Sequence, residues 1–167
     1  MTDLRSFVRN VPDFPKPGIL FRDITPLLRD HFRETIDAMS ALLPPDQWRD
    51  VEAIAGVESR GFMLAAALAE RHGKGFVPIR KQGKLPPPIV GVPYDLEYGT
   101  GVLEMQKGSG RLVLVDDVLA TGGTMEAAAS LCIDAGFEIV RLMVLINLHL
   151  VKDFRWEQQS VLAAIDY

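Results

Sequence analysis

Val113-Leu114-Val115-Asp116-Asp117-Val118-Leu119-Ala120-Thr121-Gly122-Gly123-Thr124 is the stretch on which the fold turns. It opens with an apolar, β-branched run, the pattern of a strand buried on both faces in a parallel sheet. Two carboxylates follow where that strand should emerge. A turn with two glycines and two threonines comes next, then Met125-Glu126-Ala127-Ala128-Ala129-Ser130-Leu131, a strong helix former. Strand, acidic pair, small-residue loop and helix start are half of a βαβ unit. In open α/β sheets, ligands bind in the crevice beyond the carboxyl ends of the strands.

The loop has the chemistry of a phosphate cradle. Gly122 and Gly123 let the backbone approach a ligand with no Cβ in the way. The free N–H groups of the following helix point into the same space, with the positive end of its dipole behind them. Thr121 and Thr124 add hydroxyl donors. A P-loop would end in Gly-Lys-Ser/Thr, and no lysine stands here. The plainer alternative, a βα turn with a threonine N-cap, would need neither aspartate. Two adjacent carboxylates at the end of a buried strand are costly unless something pairs with them, so a ligand site is the reading that accounts for Asp116 and Asp117.

Moving outward, the same arrangement recurs. Residues 51–57 read as a buried strand, followed by the polar turn Glu58-Ser59-Arg60-Gly61-Phe62 and a helix from Met63. Arg60 suits an oxyanion through its planar donor fork; pairing with Glu58 is the alternative. Residues 75–79 give a third strand, running into Arg80-Lys81-Gln82-Gly83-Lys84. Charge runs are usually solvated faces, but this one sits at the ligand edge of the sheet. Residues 139–148 are another buried strand, after a helix that Gly136 can cap. Asp30 is placed to cap a helix running through Leu43, which Pro44-Pro45 ends. Leu85 to Tyr94 is too rich in proline and glycine for a core strand, and residues 102–105 alternate like a half-buried one. Near the start, residues 3–9 form a short helix, Val11 to Gly18 break regular structure, and Ile19 to Pro26 are extended. The fold class is α/β: a parallel twisted sheet flanked by helices.

At 167 residues the chain suits a single domain, 1–167, with a proper core. The net charge of −4 gives no broad basic surface, so nucleic acid is not an expected partner and any anion site is local. The one cysteine, Cys132, falls in the alanine-rich helix and reads as a buried structural thiol. The first residues show no basic-then-apolar leader, and no apolar run approaches the ~20 residues of a membrane span. A cytoplasmic protein without membrane contact is expected.

The stretch 113–124 resembles the phosphoribosyl pyrophosphate (PRPP) motif of type I phosphoribosyltransferases. The run from Val11 to Leu28 is similar to the arm of adenine phosphoribosyltransferases, as are Gly56-Val57-Glu58-Ser59-Arg60-Gly61-Phe62, the Arg-Lys-x-Gly-Lys of residues 80–84 and Leu96-Glu97-Tyr98-Gly99. The resemblance covers roughly residues 11 to 148, is weakest over 86–94, and thins from Val151 onward. It implies that adenine and PRPP give AMP and pyrophosphate in purine salvage, with Mg²⁺ required and bound mainly through PRPP and water rather than by a protein cage.

The same resemblance implies roles. Asp116 and Asp117 contact the ribose hydroxyls, and Ala120, Thr121, Gly122, Gly123 and Thr124 hold the 5-phosphate. Glu58, Ser59, Arg60, Arg80, Lys81, Lys84 and Tyr98 serve pyrophosphate, and a cis peptide is expected at Glu58–Ser59. In a hood arm, residues 1–28, Phe21 stacks on the base, Arg22 lies beside it and the Leu20 backbone reads its edge. Glu97, in a mobile lid loop of residues 81–105, is the general acid/base, with Glu104 the rival. The family also implies a homodimer. A hypoxanthine-type relative and a regulatory PRPP-binding module are the competing expectations; the arm argues against the first, and the intact lid motifs against the second.

Overall fold

In the computed structural model, which describes residues 3–96 and 99–167, the chain starts with a 3-10 turn (Leu4–Phe7) and a small antiparallel hairpin. Its strands are β1 (Arg9–Pro12) and β2 (Leu20–Asp23), paired from Arg9↔Asp23 to Pro12↔Leu20. The segment from Val11 was expected to be irregular. Its start is instead a strand, because Val11 and Pro12 find partners in Phe21 and Leu20. Helix α1 (Thr25–Asp30) follows, opened by Asp23, whose carboxylate accepts the N–H and the hydroxyl of Thr25 at 2.9 and 2.6 Å.

One helix was expected from Asp30 to Leu43. The structure has α1, a break at His31, and α2 (Phe32–Ser40). Asp30 caps nothing, because Arg29 takes its carboxylate at 2.7 Å, and His31 stands at the N-cap position of α2. Pro44-Pro45 ends that stretch but also starts a further short helix, α3 (Pro45–Arg49), in the position where proline is tolerated.

The remaining elements alternate as expected. They are β3 (Ala53–Val57), α4 (Arg60–His72), β4 (Gly75–Lys81), β5 (Ile89–Leu96), β6 (Gly99–Gln106), β7 (Gly110–Leu119), α5 (Gly123–Asp134), β8 (Phe137–Asn147), β9 (Arg155–Trp156) and β10 (Gln159–Asp166). The sheet order is β5-β6-β4-β3-β7-β8-β10-β9. Strands β4, β3, β7, β8 and β10 run parallel. β6 and β5 continue one side antiparallel, and β9 closes the other. The proline-punctuated 85–94 segment therefore supplies an edge strand, where a missing N–H is tolerated. The 151–167 segment closes the sheet through β10.

Strand parity divides the core. Ile54, Val113, Val115, Met143 and Leu145 join Leu27, Met39, Leu64 and Leu68 on the α1–α2–α4 face. Ala55, Leu112, Leu114, Leu142 and Val144 join Ala128, Leu131 and Cys132 on the α5 face. This period of two, with apolar residues at both parities, is why these strands read as continuous hydrophobic runs. Cys132 is fully buried, and burial pushes its thiol up to about 12, so it stays protonated as a packing group. Among the described residues no helix is long and apolar enough to cross a membrane.

Candidate active site

The carboxyl ends of β3, β4 and β7 meet the β1–β2 hairpin around a cleft of about 630 Å³. Leu20, Phe21 and Arg22 line it from β2. Glu58, Ser59 and Arg60 come from the β3–α4 turn, Lys81 from the end of β4, and Asp116, Asp117, Ala120 and Thr124 from the end of β7 and the loop after it. Residues far apart in sequence, each singled out on its own motif, thus share one space. Ile19, Val57, Tyr94, Leu103, Val118 and Leu148 complete the lining. Sequence reasoning missed these because apolar and aromatic residues in or beside strands carry no signal that separates a cleft wall from core.

At the floor, β7 departs from expectation. Asp116 and Asp117 do not follow the strand; they lie inside it, and β7 continues beside β8 through Leu119↔Asn147. On the other flank, β3 pairs only as far as Gly56↔Val115. Asp116 and Asp117 therefore belong to a strand still hydrogen-bonded on one side, with the N-terminus of α4 on the other. Gly61 permits that approach: a Cβ there would lie 3.0 Å from Asp116 Oδ1 and 3.2 Å from the Val115 carbonyl oxygen.

Burial, and then the neighbouring charge of Asp117, pushes the Asp116 carboxyl well above the usual range. Its Oδ1 accepts the Asp117 N–H at 2.8 Å. Asp117 is paired with Arg60, whose Nε lies 2.6 Å from Oδ2. That contact lacks hydrogen-bond alignment, so Oδ2 is a buried oxygen with an ionic partner but no hydrogen bond. The alternative for Arg60, pairing with Glu58, is not what the structure has.

Glu58 faces the cations. Lys84 Nζ donates to Oε1 at 2.6 Å, the Lys81 N–H donates to Oε2 at 2.9 Å, and Arg80 Nε lies 3.5 Å from Oε2. Burial alone would raise its carboxyl, but these donors outweigh that and hold it below the usual range. Arg80 and Lys84 thus reach the site through Glu58 rather than by lining the cleft. The peptide between Glu58 and Ser59 is cis, as the resemblance implies. Glu104 is buried and accepts the Gly83 N–H at 2.9 Å, which ties it to the turn that carries Lys84.

The loop after β7 is more specific than its glycine content suggested. Gly122 has φ +89°, and a Cβ on it would meet the Phe154 ring at 2.4 Å. Its bareness therefore accommodates packing from behind as well as a left-handed turn. Gly123 has open space around its Cβ position, leaving the first turn of α5 approachable. Gly122 is the N-cap of α5, with no side-chain cap, so the threonine-cap alternative does not hold. Thr121, Gly122 and Gly123 stand beside the cleft without lining it. Glu97 and Tyr98 lie outside the described residues.

The histidines take no part. His31 stacks on Phe7 and His72 on Trp48, with ring centroids 3.7 and 3.8 Å apart, and His149 pairs with Asp166 at 2.7 Å. In the arm, the Phe21 ring meets Phe14 edge-on at 5.1 Å and lies 5.2 Å from the Arg60 guanidinium. One side of the cleft is thus apolar and aromatic, the other is charged, and Arg60 touches both.

The chain matches the phosphoribosyl transferase domain family over residues 31–158. It is 52% identical to the adenine phosphoribosyltransferase of Hydrogenovibrio crunogenus, across 98% of this chain and 96% of that one. Among solved structures it is similar to the adenine phosphoribosyltransferase of Thermoanaerobacter pseudethanolicus, with a TM-score of 0.89, 39% identity, and coverage of 99% and 98%. The Saccharomyces cerevisiae enzyme, solved with adenine and an imino-altritol bisphosphate, aligns with a TM-score of 0.89 and 32% identity over 97% and 96% of the two chains. With relatives of this identity spanning nearly its whole length, the chain belongs to the adenine phosphoribosyltransferase family.

Proposed function

We propose that the cleft transfers the 5-phosphoribosyl group of PRPP to adenine, giving AMP and pyrophosphate in purine salvage. The observation that carries this reading is the convergence of Phe21, Arg60 and the Asp116–Asp117 pair on one cleft. An aromatic face suited to a purine, a cation suited to a leaving oxyanion and an acidic pair suited to ribose hydroxyls are the three things the reaction requires.

Adenine enters between the arm and the apolar wall of Val118 and Leu148, with its face on Phe21. Asp116 and Asp117 hold the ribose hydroxyls, and the 120–124 loop with the first turn of α5 holds the 5-phosphate through backbone N–H groups. This fixes the anomeric carbon in line with the purine nitrogen, so attack is effectively intramolecular. The bond to pyrophosphate breaks as the new C–N bond forms. Arg60, Arg80, Lys81 and Lys84 stabilise the charge gathering on the leaving group. Glu97 takes the proton adenine loses, and Tyr98 covers the pyrophosphate.

Mg²⁺ suits the donor set at the floor, which is hard carboxylate oxygen, with Asp117 Oδ2 already held by Arg60 at 2.6 Å. Among the described residues no third acidic or metal-ligating side chain joins this pair, so PRPP and water oxygens would supply the remaining ligands beside Asp116 and Asp117. When bound, the ion neutralises pyrophosphate charge. Residues 1–28 act as a hood and 81–105 as a lid, in a cytoplasmic homodimer; sedimentation at working concentration should give twice the chain mass.

The test offers purified protein PRPP and Mg²⁺ with each purine separately and quantifies the nucleotide formed. AMP from adenine, with a large fall in kcat for Glu97→Ala, is expected. Turnover of guanine or hypoxanthine but not adenine would overturn the choice of base. Undiminished turnover in the variant would remove Glu97 from the mechanism.

A further inference from the structure

We infer that Tyr167 is a positioning residue for adenine, acting on the hood arm through Arg22. The inference rests on the reading of that arm as the adenine side of the cleft.

The β1–β2 hairpin forms its own two-stranded sheet, separate from the main one. Side chains must therefore fix its position. Its base is anchored by burial of Leu4, Val8 and Ile24 in the core of the α4 face, and by Arg9, whose Nη2 lies 2.7 Å from Asp23. These contacts lie where the hairpin joins the domain. Phe21 and Leu20 stand further along β2, toward the cleft, and Leu20 is 47% exposed.

Beside Phe21, Arg22 is held on two sides. It donates to Asn10 Oδ1 on β1, and its guanidinium carbon lies 3.9 Å from the centroid of the Tyr167 ring. Arg5 approaches the same ring at 4.3 Å. Tyr167 is a firm platform for this contact. It follows β10, its N–H donates to the Asn147 carbonyl at the end of β8 at 3.0 Å, and its ring packs partly buried against the core. Asn147 in turn precedes Leu148, which lines the cleft. The ring thus joins the main sheet, where the wall at Leu148 is fixed, to the β2 residue next to Phe21. A cation on an aromatic face is attracted along the ring normal, so the contact restrains the distance between the Phe21 side of the cleft and the Leu148 side, the width a purine must fill. Tyr167 lies beyond residues 31–158, the stretch matched by the phosphoribosyl transferase domain, and carries no motif, so the folded chain is what reveals its contact.

Steady-state kinetics on Tyr167→Ala, Tyr167→Phe and Phe21→Ala test the inference. Tyr167→Ala should raise the KM for adenine about 3- to 10-fold, the range a partly exposed cation–π pair supports, with the KM for PRPP unchanged. Tyr167→Phe keeps the ring and should restore the wild-type KM. In a Tyr167→Ala/Arg22→Ala double variant the adenine KM should match that of Arg22→Ala alone, because both changes break one contact. An unchanged adenine KM in Tyr167→Ala, an equal rise in both KM values, or failure of Tyr167→Phe to restore it would overturn the inference. Phe21→Ala separates the two readings. If it raises the adenine KM while Tyr167→Ala does not, the arm binds adenine and only the positioning role falls; if it leaves the adenine KM unchanged, the arm reading falls and this inference with it.

Discussion

The two strand–turn–helix corners of the cleft, β3 into α4 and β7 into α5, look alike in sequence and differ in how their carboxylates are treated. Glu58, at the first corner, accepts from Lys84 and the Lys81 N–H, with Arg80 as a further ionic partner. Asp116, at the second, is buried against Asp117 and pushed the other way, toward protonation. Among the described residues, the cation paired with the second corner is Arg60, borrowed from the first. The first corner has its one carboxylate paired as folded, facing two cationic side chains. The second holds two adjacent carboxyls that face one guanidinium, the condition expected of a group that waits for ligand hydroxyls and a metal ion.

The sharpest way to break this comparison is to cut the link between the corners. Arg60→Ala removes the ionic partner of Asp117 and, on the proposed assignment, one cation for the leaving pyrophosphate. On the scale of a lost transition-state charge partner, kcat/KM for PRPP should fall on the order of 100-fold. Wild-type kinetics in that variant would mean that the second corner functions independently of the first.

Next in size is the steric basis of the link. A Cβ at Gly61 would press on Asp116 Oδ1 and on the Val115 and Asp116 backbone. Backbone yields less readily than a side-chain tip, so Gly61→Ala should cost about 1–3 kcal/mol of stability, as overpacking does. Urea denaturation measures this. A neutral result would show that α4 can slide outward freely, and that its close seat on β7 is not what sets the Arg60–Asp117 contact.

Much of this was legible before folding. The strands carry apolar residues at both parities and the acidic pair stood out by residue type, while the arm and much of the case for the cation run came with the resemblance to a known family. What stayed hidden depends on partners distant in sequence. Asp30 looked like a cap until Arg29 took its carboxylate. Pro12 looked like a breaker, yet it pairs with Leu20 across a hairpin. Asp116 and Asp117 sit within β7 because β8 outruns β3 by several residues, a length difference that no single segment displays. Gly122 owes part of its bareness to Phe154, some thirty residues on, which periodicity cannot foresee. Function was easier to read than register, because short motifs carry the resemblance to a family, whereas register resides in pairings.

A smaller effect of opposite sign is expected at Asp116. The folded carboxyl lies above its ordinary value, so its ionisation is disfavoured in the fold; the cost is absent at acid pH and grows as pH rises toward the folded value. Asp116→Asn removes the charge and keeps an oxygen for the Asp117 N–H. Activity should fall at least tenfold, while Tm rises by about 2–4 °C at about pH 8 and by less at about pH 5. A Tm that falls equally at both pH values would show that the carboxylate is already compensated and would erase the contrast between the corners.

The smallest effect, and the most diagnostic, belongs to Glu58. Its folded carboxyl lies below the ordinary range, so its contribution to stability is present at neutral pH and lost as pH falls through the folded value. Glu58→Gln should therefore be less stable than wild type at neutral pH, with the deficit closing on acidification, the mirror image of Asp116→Asn. Kinetically the change runs the other way. Glu58 is an internal anion that occupies Lys84 and Arg80, so on the proposed assignment an incoming pyrophosphate competes with it for them. With the neutral amide those cations are freed, and the inhibition constant of pyrophosphate against PRPP should drop about two- to fivefold, the scale of a solvent-facing ion pair exchanged for another. An inhibition constant that rises instead would mean that Glu58 earns its place by aiming the cations rather than by competing for them. The first corner's carboxylate would then serve preorganisation, and the contrast with the second would have to be explained by Asp116 and Asp117 alone.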